Sequence, residues 1–138
     1  MTLAERAATS SAQFVSGLLT IVGAVGLLKT RFSDFAASDG VHFIGVTVNP
    51  LTNLVHLVVG LVGIAMATRL DRAHRYLRAV GAGGVVFAIL EFVLGDSGAD
   101  IFGRDTRMAI AQLVFALGAL AVWFWTRPAA ALGASPAG

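Results

Sequence analysis

The placement of charge constrains this chain more than any other feature, because four long stretches are almost free of charged residues. Residues 7–28 and 108–126 contain none, residues 43–68 contain one histidine as their sole ionisable side chain, and residues 79–95 are interrupted by one glutamate. A helix needs about 20 apolar residues to cross about 30 Å of hydrocarbon. Helices also satisfy their own backbone hydrogen bonds, which lipid cannot do. The pattern therefore predicts four transmembrane helices.

Composition points to the same class of protein. Charged residues make up 13% of the 138 positions, hydrophobic residues make up 57%, and the mean hydropathy is +0.80. So few charges cannot cover the exterior of a water-soluble fold of this size. We expect an all-α polytopic membrane protein, with four helices in an antiparallel bundle and the lipid bilayer as its surroundings. No face combines basic and aromatic residues as nucleic-acid binding requires, and no cofactor is predicted.

The predicted domain covers residues 1–128, and residues 129–138 are predicted to be a flexible tail rich in Ala, Gly, Pro and Ser. The second helix has a readable start, since Asn49 can cap it and Pro50 suits a first helical position, where no N–H is needed. The predicted helices cover about 12–28, 50–68, 78–95 and 107–126.

The arginines set the predicted orientation. The segment between the second and third helices carries four arginines and a single carboxylate, Asp71. Short positively charged links stay in the cytoplasm, so both termini are predicted to be cytoplasmic. Heavy use of Ala, Gly, Val and Arg is typical of a GC-rich bacterial genome, and we expect the bacterial plasma membrane. The same arginines could instead hold anionic lipid headgroups: Arg69, Arg72, Arg75 and Arg78.

The two halves of the chain show a weak internal similarity. Residues 49–63 align with residues 105–119, which places His56 over Gln112 and Gly60 over Ala116. Both helix pairs would run in the same direction. The bundle is therefore also interpreted as two parallel helix-pair repeats.

Small residues recur at helical spacing in the apolar stretches. In the second helix, Gly60 and Gly63 share a face with polar residues, and in the third helix Gly81 and Gly84 are spaced in the same way. Small residues let the backbones of membrane helices approach closely. We predict that these four glycines lie at helix–helix contacts. In the first helix, the corresponding stripe is Gln13, Gly17, Thr20 and Ala24.

Four polar side chains are predicted to form an intramembrane cluster: Asn53, His56, Glu91 and Gln112. Counted along the helices, His56, Glu91 and Gln112 fall near one depth. His56 is predicted to lie within hydrogen-bonding reach of Glu91, directly or through one water, with Asn53 or Gln112 nearby. An unpaired charge in a transmembrane helix costs about 2.5–3.5 kcal/mol at its centre on insertion scales. The cluster is interpreted as interhelical bonding, as a pocket for a small ligand or lipid, or as a path for protons or ions.

No catalytic or metal-binding template is present in the sequence. Cysteine is absent, which excludes disulfides and thiolate chemistry, and no metalloprotease, serine hydrolase or nucleotide-binding motif occurs. No catalytic residue and no metal ligand is predicted.

The motif Asn49-Pro50-Leu51-Thr52-Asn53-Leu54-Val55-His56-Leu57, followed by Gly60 and Gly63, resembles the signature of a family of small actinobacterial membrane proteins. That family is catalogued as domain-of-unknown-function family 4383, and its members look like four-helix bundles of about this length. Thr52 stands where the family tends to have a histidine. The resemblance implies the membrane topology and supplies no activity.

The sequence thus predicts a non-enzymatic integral membrane protein, a structural or accessory subunit of a larger membrane complex. Its partners would be other membrane proteins or further copies of itself. The alternative is a small transport or ligand-binding protein that uses the polar cluster around His56 and Glu91.

Overall fold

The computed structural model describes residues 2–32, 35, 41–43, 45–94 and 106–127, and this part of the chain forms four α-helices and one β-hairpin. The elements, in chain order, are α1 (Leu3–Thr30), β1 (Val41–Phe43), β2 (Val46–Val48), α2 (Pro50–Met66), α3 (Leu70–Leu94) and α4 (Thr106–Thr126). Among the described residues, α1, α3 and α4 are long and apolar enough to cross a membrane, and α2 is a shorter apolar helix of 17 residues. The predicted all-α membrane bundle is confirmed.

Helix α1 begins nine residues before the predicted start at residue 12. A capping box fixes this start: the Thr2 hydroxyl accepts from the Glu5 N–H (3.2 Å), and the Glu5 carboxylate accepts from the Thr2 N–H (2.7 Å). Hydropathy identified only the lipid-facing part of the helix. At the other end, Arg31 adopts a left-handed conformation (φ 49°) and closes the helix.

The connection to α2 contains a short antiparallel hairpin, in which Val41 pairs with Val48 and Phe43 pairs with Val46. Gly45 lies between the strands with φ +79°, a conformation that favours glycine. The predicted cap then starts α2: the Asn49 side chain accepts from the Thr52 N–H (2.9 Å), and Pro50 is the first helical residue.

Helix α3 begins at Leu70, eight residues before the predicted start at residue 78. Most of the segment predicted as a link is therefore helical, and Arg72, Arg75 and Arg78 lie on α3. The difference arises because charge ends a hydropathy-defined span without ending a helix. The first turns of α3 pack inside the bundle, where Leu77 is fully buried and Tyr76 is 4% exposed.

The helices pack as two pairs, α1 with α2 and α3 with α4, while α1 also touches α3 and α4. All four helices meet in a core near the starts of α1 and α3, formed mainly by Ala8, Ala12, Ala67, Ala73, Tyr76, Leu77 and Ala119. We call this the arginine end, because residues 69–78 lie there. The His74 Nε2 and the Thr126 hydroxyl, 3.0 Å apart, join the start of α3 to the end of α4 at this end.

The opposite end carries the β-hairpin and is called the hairpin end. There the Arg107 guanidinium at the start of α4 donates to the Gly45 carbonyl (3.4 Å). The predicted C-terminal tail, residues 129–138, lies outside the described residues.

Candidate functional site: polar side chains in the apolar bundle

Asn53 lies inside the contact between α1 and α2 and is fully buried. Its amide packs against Gly26, and a Cβ added at Gly26 would overlap that amide. Within the described ranges, neither Asn53 Oδ1 nor Nδ2 has a hydrogen-bond partner. An unsatisfied buried amide costs about 1–3 kcal/mol. Asn53 is thus held in place by packing and keeps both its donor and its acceptor unused.

His56 follows Asn53 by three residues, so both side chains leave the same side of α2. Its Nδ1 is buried and has no hydrogen-bond partner among the residues that the structure describes. Asn53 and His56 therefore place a donor–acceptor amide beside an imidazole nitrogen, which can donate or accept according to its tautomer.

Glu91 and Gln112 meet across the contact between α3 and α4. Gln112 Nε2 donates to Glu91 Oε1 at 3.5 Å, a long hydrogen bond. Gln112 Oε1 is buried and has no partner in the described part of the chain. The amide thus uses its donor and leaves its acceptor free.

His56 and Glu91 were predicted to pair directly or through one water; among the described residues no direct hydrogen bond joins them, and Glu91 bonds to Gln112 instead. The reason is the pairing of the helices: α2 packs mainly on α1, whereas α3 packs mainly on α4. Helices α3 and α4 are also consecutive and antiparallel, so Gln112 was an equally available donor for Glu91. The four predicted residues separate into Asn53 with His56 and Glu91 with Gln112.

The four predicted packing glycines all face neighbouring helices. A Cβ at Gly60 would lie 2.8 Å from the Ser16 carbonyl, and one at Gly63 would lie 2.5 Å from the Tyr76 hydroxyl oxygen. On α3, a Cβ at Gly81 would lie 2.6 Å from Leu120 Cγ, and one at Gly84 would lie 2.8 Å from the Ala116 Cβ.

The contact face of α1 shares Thr20 with the predicted stripe, since a Cβ at Gly60 would lie 2.5 Å from the Thr20 nitrogen, and it differs from the stripe at Gly17. Gly17 faces open space, while Ser16 and Gly23 lie against α2. A Cβ at Gly23 would lie 2.6 Å from the Asn53 carbonyl. Sequence reasoning missed Gly23 and Gly26, although their spacing of three was a readable signal of close helix packing.

Tyr76 is a further buried polar residue that the sequence did not single out. Its hydroxyl is buried beside Gly63 and has no hydrogen-bond partner among the described residues. Its position near the arginine end was readable from the sequence, but its inward direction depends on the start of α3.

The four arginines lie at the arginine end and are exposed. Asp71 pairs with Arg75 (3.1 Å) and with Arg69 (3.7 Å). Exposed pairs of this kind contribute little to stability. Arg72 and Arg78 have no ion pair among the described residues. In the described ranges, no group of three or more His, Cys, Asp or Glu residues is arranged to hold a metal ion.

These features define a small helical membrane protein, with a core of small residues and a few buried polar groups. The chain belongs to the family described as Domain of unknown function (DUF4383), whose model matches residues 10–125. No curated protein and no solved structure matches the chain. The resemblance carried by residues 49–57 is thereby confirmed at the level of the family.

Proposed function

We propose that this protein is a non-enzymatic accessory subunit of the bacterial plasma membrane, which binds a transmembrane helix of a larger complex in a groove between α1 and α4. The observation that carries the proposal is the groove itself. It has a volume of about 310 Å³, and its walls include Phe14 on α1 and Val114 and Phe115 on α4. Gly118 forms part of its surface.

A helix suits this groove because of Gly118. A Cβ built there meets nothing within 4 Å, so close packing inside the bundle does not require this glycine. Without a hydrophobic driving force in lipid, membrane helices associate through close packing, which small residues permit. Phe14 (66% exposed) and Val114 (64% exposed) could then interdigitate with a partner helix.

The non-enzymatic part of the proposal rests on the sequence. It offers no cysteine, and its apolar stretches contain one histidine and one carboxylate. Catalysis of acyl or phosphoryl transfer needs a nucleophile with an adjacent base, or an equivalent constellation of groups. The polar residues inside the bundle are therefore assigned to packing.

Co-purification tests the accessory role. The full chain, extracted in native-lipid particles, should bring a stoichiometric membrane protein with it, and Gly118→Leu should abolish that association by filling the groove. Ala65→Leu is the matched control, because Ala65 is also exposed but lies on α2. Loss of the partner with both variants would refute the groove as the binding site. A particle that contains one copy of the chain and no other protein would do the same.

A self-associating form is a distinct outcome of the same experiment. Particles that contain only further copies of the chain, lost on Gly118→Leu, would replace the larger complex with a homo-oligomer.

The proposed orientation places both termini in the cytoplasm, supported by the exposed arginines of the arginine end. Thr68 and Thr106 are exposed at opposite ends of the bundle, so each can carry a single cysteine. In intact cells, an impermeant thiol reagent should label Thr106→Cys and leave Thr68→Cys unlabelled. The reverse labelling would invert the topology.

A second function, binding or transport of a small polar ligand, is favoured by Asn53 and His56. Both atoms of the fully buried Asn53 amide, and His56 Nδ1, have no partner among the described residues. A polar ligand or a chain of waters there would satisfy them, and such groups are ordinarily satisfied in folded proteins.

The Asn53→Leu variant separates the two functions, because they predict opposite changes in the melting temperature. If nothing polar binds, replacing an unsatisfied amide by an apolar group of similar size should leave the melting temperature in detergent unchanged or raise it. If a polar ligand binds, the same substitution should lower it. Asn49→Leu is the control that must lower it in either case, because the Asn49 side chain caps α2.

A further inference from the structure

We propose that the outward face of α3 binds an anionic phospholipid, with its phosphate held by arginines and an acyl chain lying along the helix below them. The face is defined by Arg72, Arg75, Ala79, Ala82 and Val86, and it is separate from the α1/α4 groove. These residues recur at spacings of three and four, so they share one side of the helix. All five are exposed.

The positive charge of this face favours the binding of an anion. Residues 69–78 carry four arginines and one carboxylate, Asp71. Asp71 is engaged by Arg69 and Arg75, whereas Arg72 and Arg78 have no ion pair among the described residues. Guanidinium groups bind phosphate through paired N–H donors, which makes arginine the usual side chain for this anion.

On the hairpin side of the arginines, the outward surface of α3 carries small side chains. Ala79 and Ala82 are exposed, and a Cβ built at Gly83 would meet nothing within 4 Å. The other two glycines of this region, Gly81 and Gly84, face α4 instead. A strip of small side chains thus begins directly below the positive charges and leaves room for a chain to lie close to the helix.

Towards the hairpin end, this face of α3 is apolar over several turns. Val86, Ile89 and Val93 continue the same stripe towards the hairpin end and are between 51% and 68% exposed. A free phosphate would leave this stripe unused, whereas a phospholipid satisfies the arginines and the apolar stripe together. Trp123, an aromatic residue of the kind found at headgroup level, lies near the same end.

Lipid retention tests the site. The full chain is reconstituted in bilayer discs of equal parts dioleoyl phosphatidylglycerol and dioleoyl phosphatidylcholine, and lipids retained after release are counted by native mass spectrometry. We expect retained phosphatidylglycerol to exceed phosphatidylcholine. Arg72→Gln and Arg78→Gln should each lower that excess about fivefold, as expected for one arginine near an anionic surface.

Two matched controls separate a built site from general surface charge. Arg6→Gln removes a charge from the exposed start of α1, at the same end of the bundle, and should leave the excess unchanged. Gly83→Leu keeps every charge and fills the shallow strip, so it should lower retention. Gly17→Leu fills open space on α1 and should not.

Three results would overturn the proposal. Equal retention of the two lipids would show that no anion site exists. An equal loss with Arg6→Gln and Arg72→Gln would reduce the effect to the charge of the whole end. Full retention by Gly83→Leu would show that no chain lies along α3. The arginines and Gly83 are exposed and Gly17 faces open space, so melting temperatures in detergent should not fall below that of the parent chain, which verifies folding.

Discussion

The two helix pairs are held together in different ways. Between α1 and α2, glycines face backbone as well as side chains: a Cβ at Gly23 would lie 2.6 Å from the Asn53 carbonyl oxygen, and one at Gly60 would lie beside the Thr20 hydroxyl and 2.5 Å from the Thr20 nitrogen. Between α3 and α4, the nearest atoms facing Gly81 and Gly84 belong to the side chains of Leu120 and Ala116. The Leu120 side chain can move by rotation, whereas helical backbone, and the Ala116 Cβ attached to it, move only with the helix.

The polar groups follow the same division. Asn53 is enclosed where α1 and α2 pack most closely, and in the described residues it finds no hydrogen-bond partner. Glu91 and Gln112 lie across the α3/α4 contact and bond to each other. The α1/α2 pair is therefore specified by shape, and the α3/α4 pair is specified by shape together with a polar bond.

The largest effect is expected from Gly60→Ala. Its new Cβ would fall within 2.8 Å of two α1 backbone atoms, the Thr20 nitrogen and the Ser16 carbonyl oxygen. We expect the free energy of unfolding, measured by SDS titration in micelles, to fall by about 3 kcal/mol, the upper range for overpacking.

Gly83→Ala is the control for this prediction. Gly83 faces open space, so its replacement should be neutral or stabilising, since alanine is favoured over glycine in a helix by about 1 kcal/mol. If Gly60→Ala and Gly83→Ala behave alike, the close backbone contact of α1 and α2 is wrong.

A smaller effect is expected from Gly84→Ala. The new Cβ would lie 2.8 Å from the Ala116 Cβ, and the next nearest atom, Ala116 Cα, is at 3.8 Å. We expect a loss of about 1 kcal/mol in the same titration, because one methyl contact can be relieved by a small helix shift. Ala116→Gly should restore stability to Gly84→Ala. A loss as large as that of Gly60→Ala would abolish the distinction between the pairs.

The smallest effect is expected from Gln112→Leu, which removes the bond to Glu91. Interhelical hydrogen bonds in membranes contribute about 0.6 kcal/mol on average, and this one is long at 3.5 Å. Glu91→Gln serves as the companion variant, because an amide at position 91 can still accept from Gln112. A loss above that of Gly84→Ala would mean that the polar bond, and not packing, specifies the α3/α4 pair.

Much of the fold was predictable because its causes are local. The uncharged stretches gave the helices, and Asn49 with Pro50 gave the start of α2 to the residue. The glycine spacing of α2 and α3 identified faces that do pack against neighbouring helices. Each of these depends on hydropathy, capping or side-chain size, which a sequence displays directly.

The errors concern where polar segments remain helical. Depth along a helix can be counted, and Gln112 was placed in the cluster with Glu91, but which neighbour a helix prefers depends on the fit of all its faces, so the sequence did not single out Gln112 as the direct partner of Glu91. The starts of α1 and α3 were placed late because Arg6 and Arg72 end an apolar run without ending a helix. On α1, Thr20 was placed correctly on the contact face, whereas Gly17 was not and Ser16 was missed.

The unequal lengths of α1 and α2 have a consequence for the surrounding bilayer. At 1.5 Å per residue, the 28 residues of α1 extend about 42 Å, whereas the 17 residues of α2 extend about 26 Å. The polar start of α1 can extend beyond the hydrocarbon, so the mismatch falls on α2, which is about 4 Å shorter than a hydrocarbon layer of about 30 Å. Lipids beside α2 are expected to thin, at a cost of fractions of a kcal/mol for each ångström. Hydrophobic mismatch of this kind favours regions of the membrane where the hydrocarbon layer is already thin.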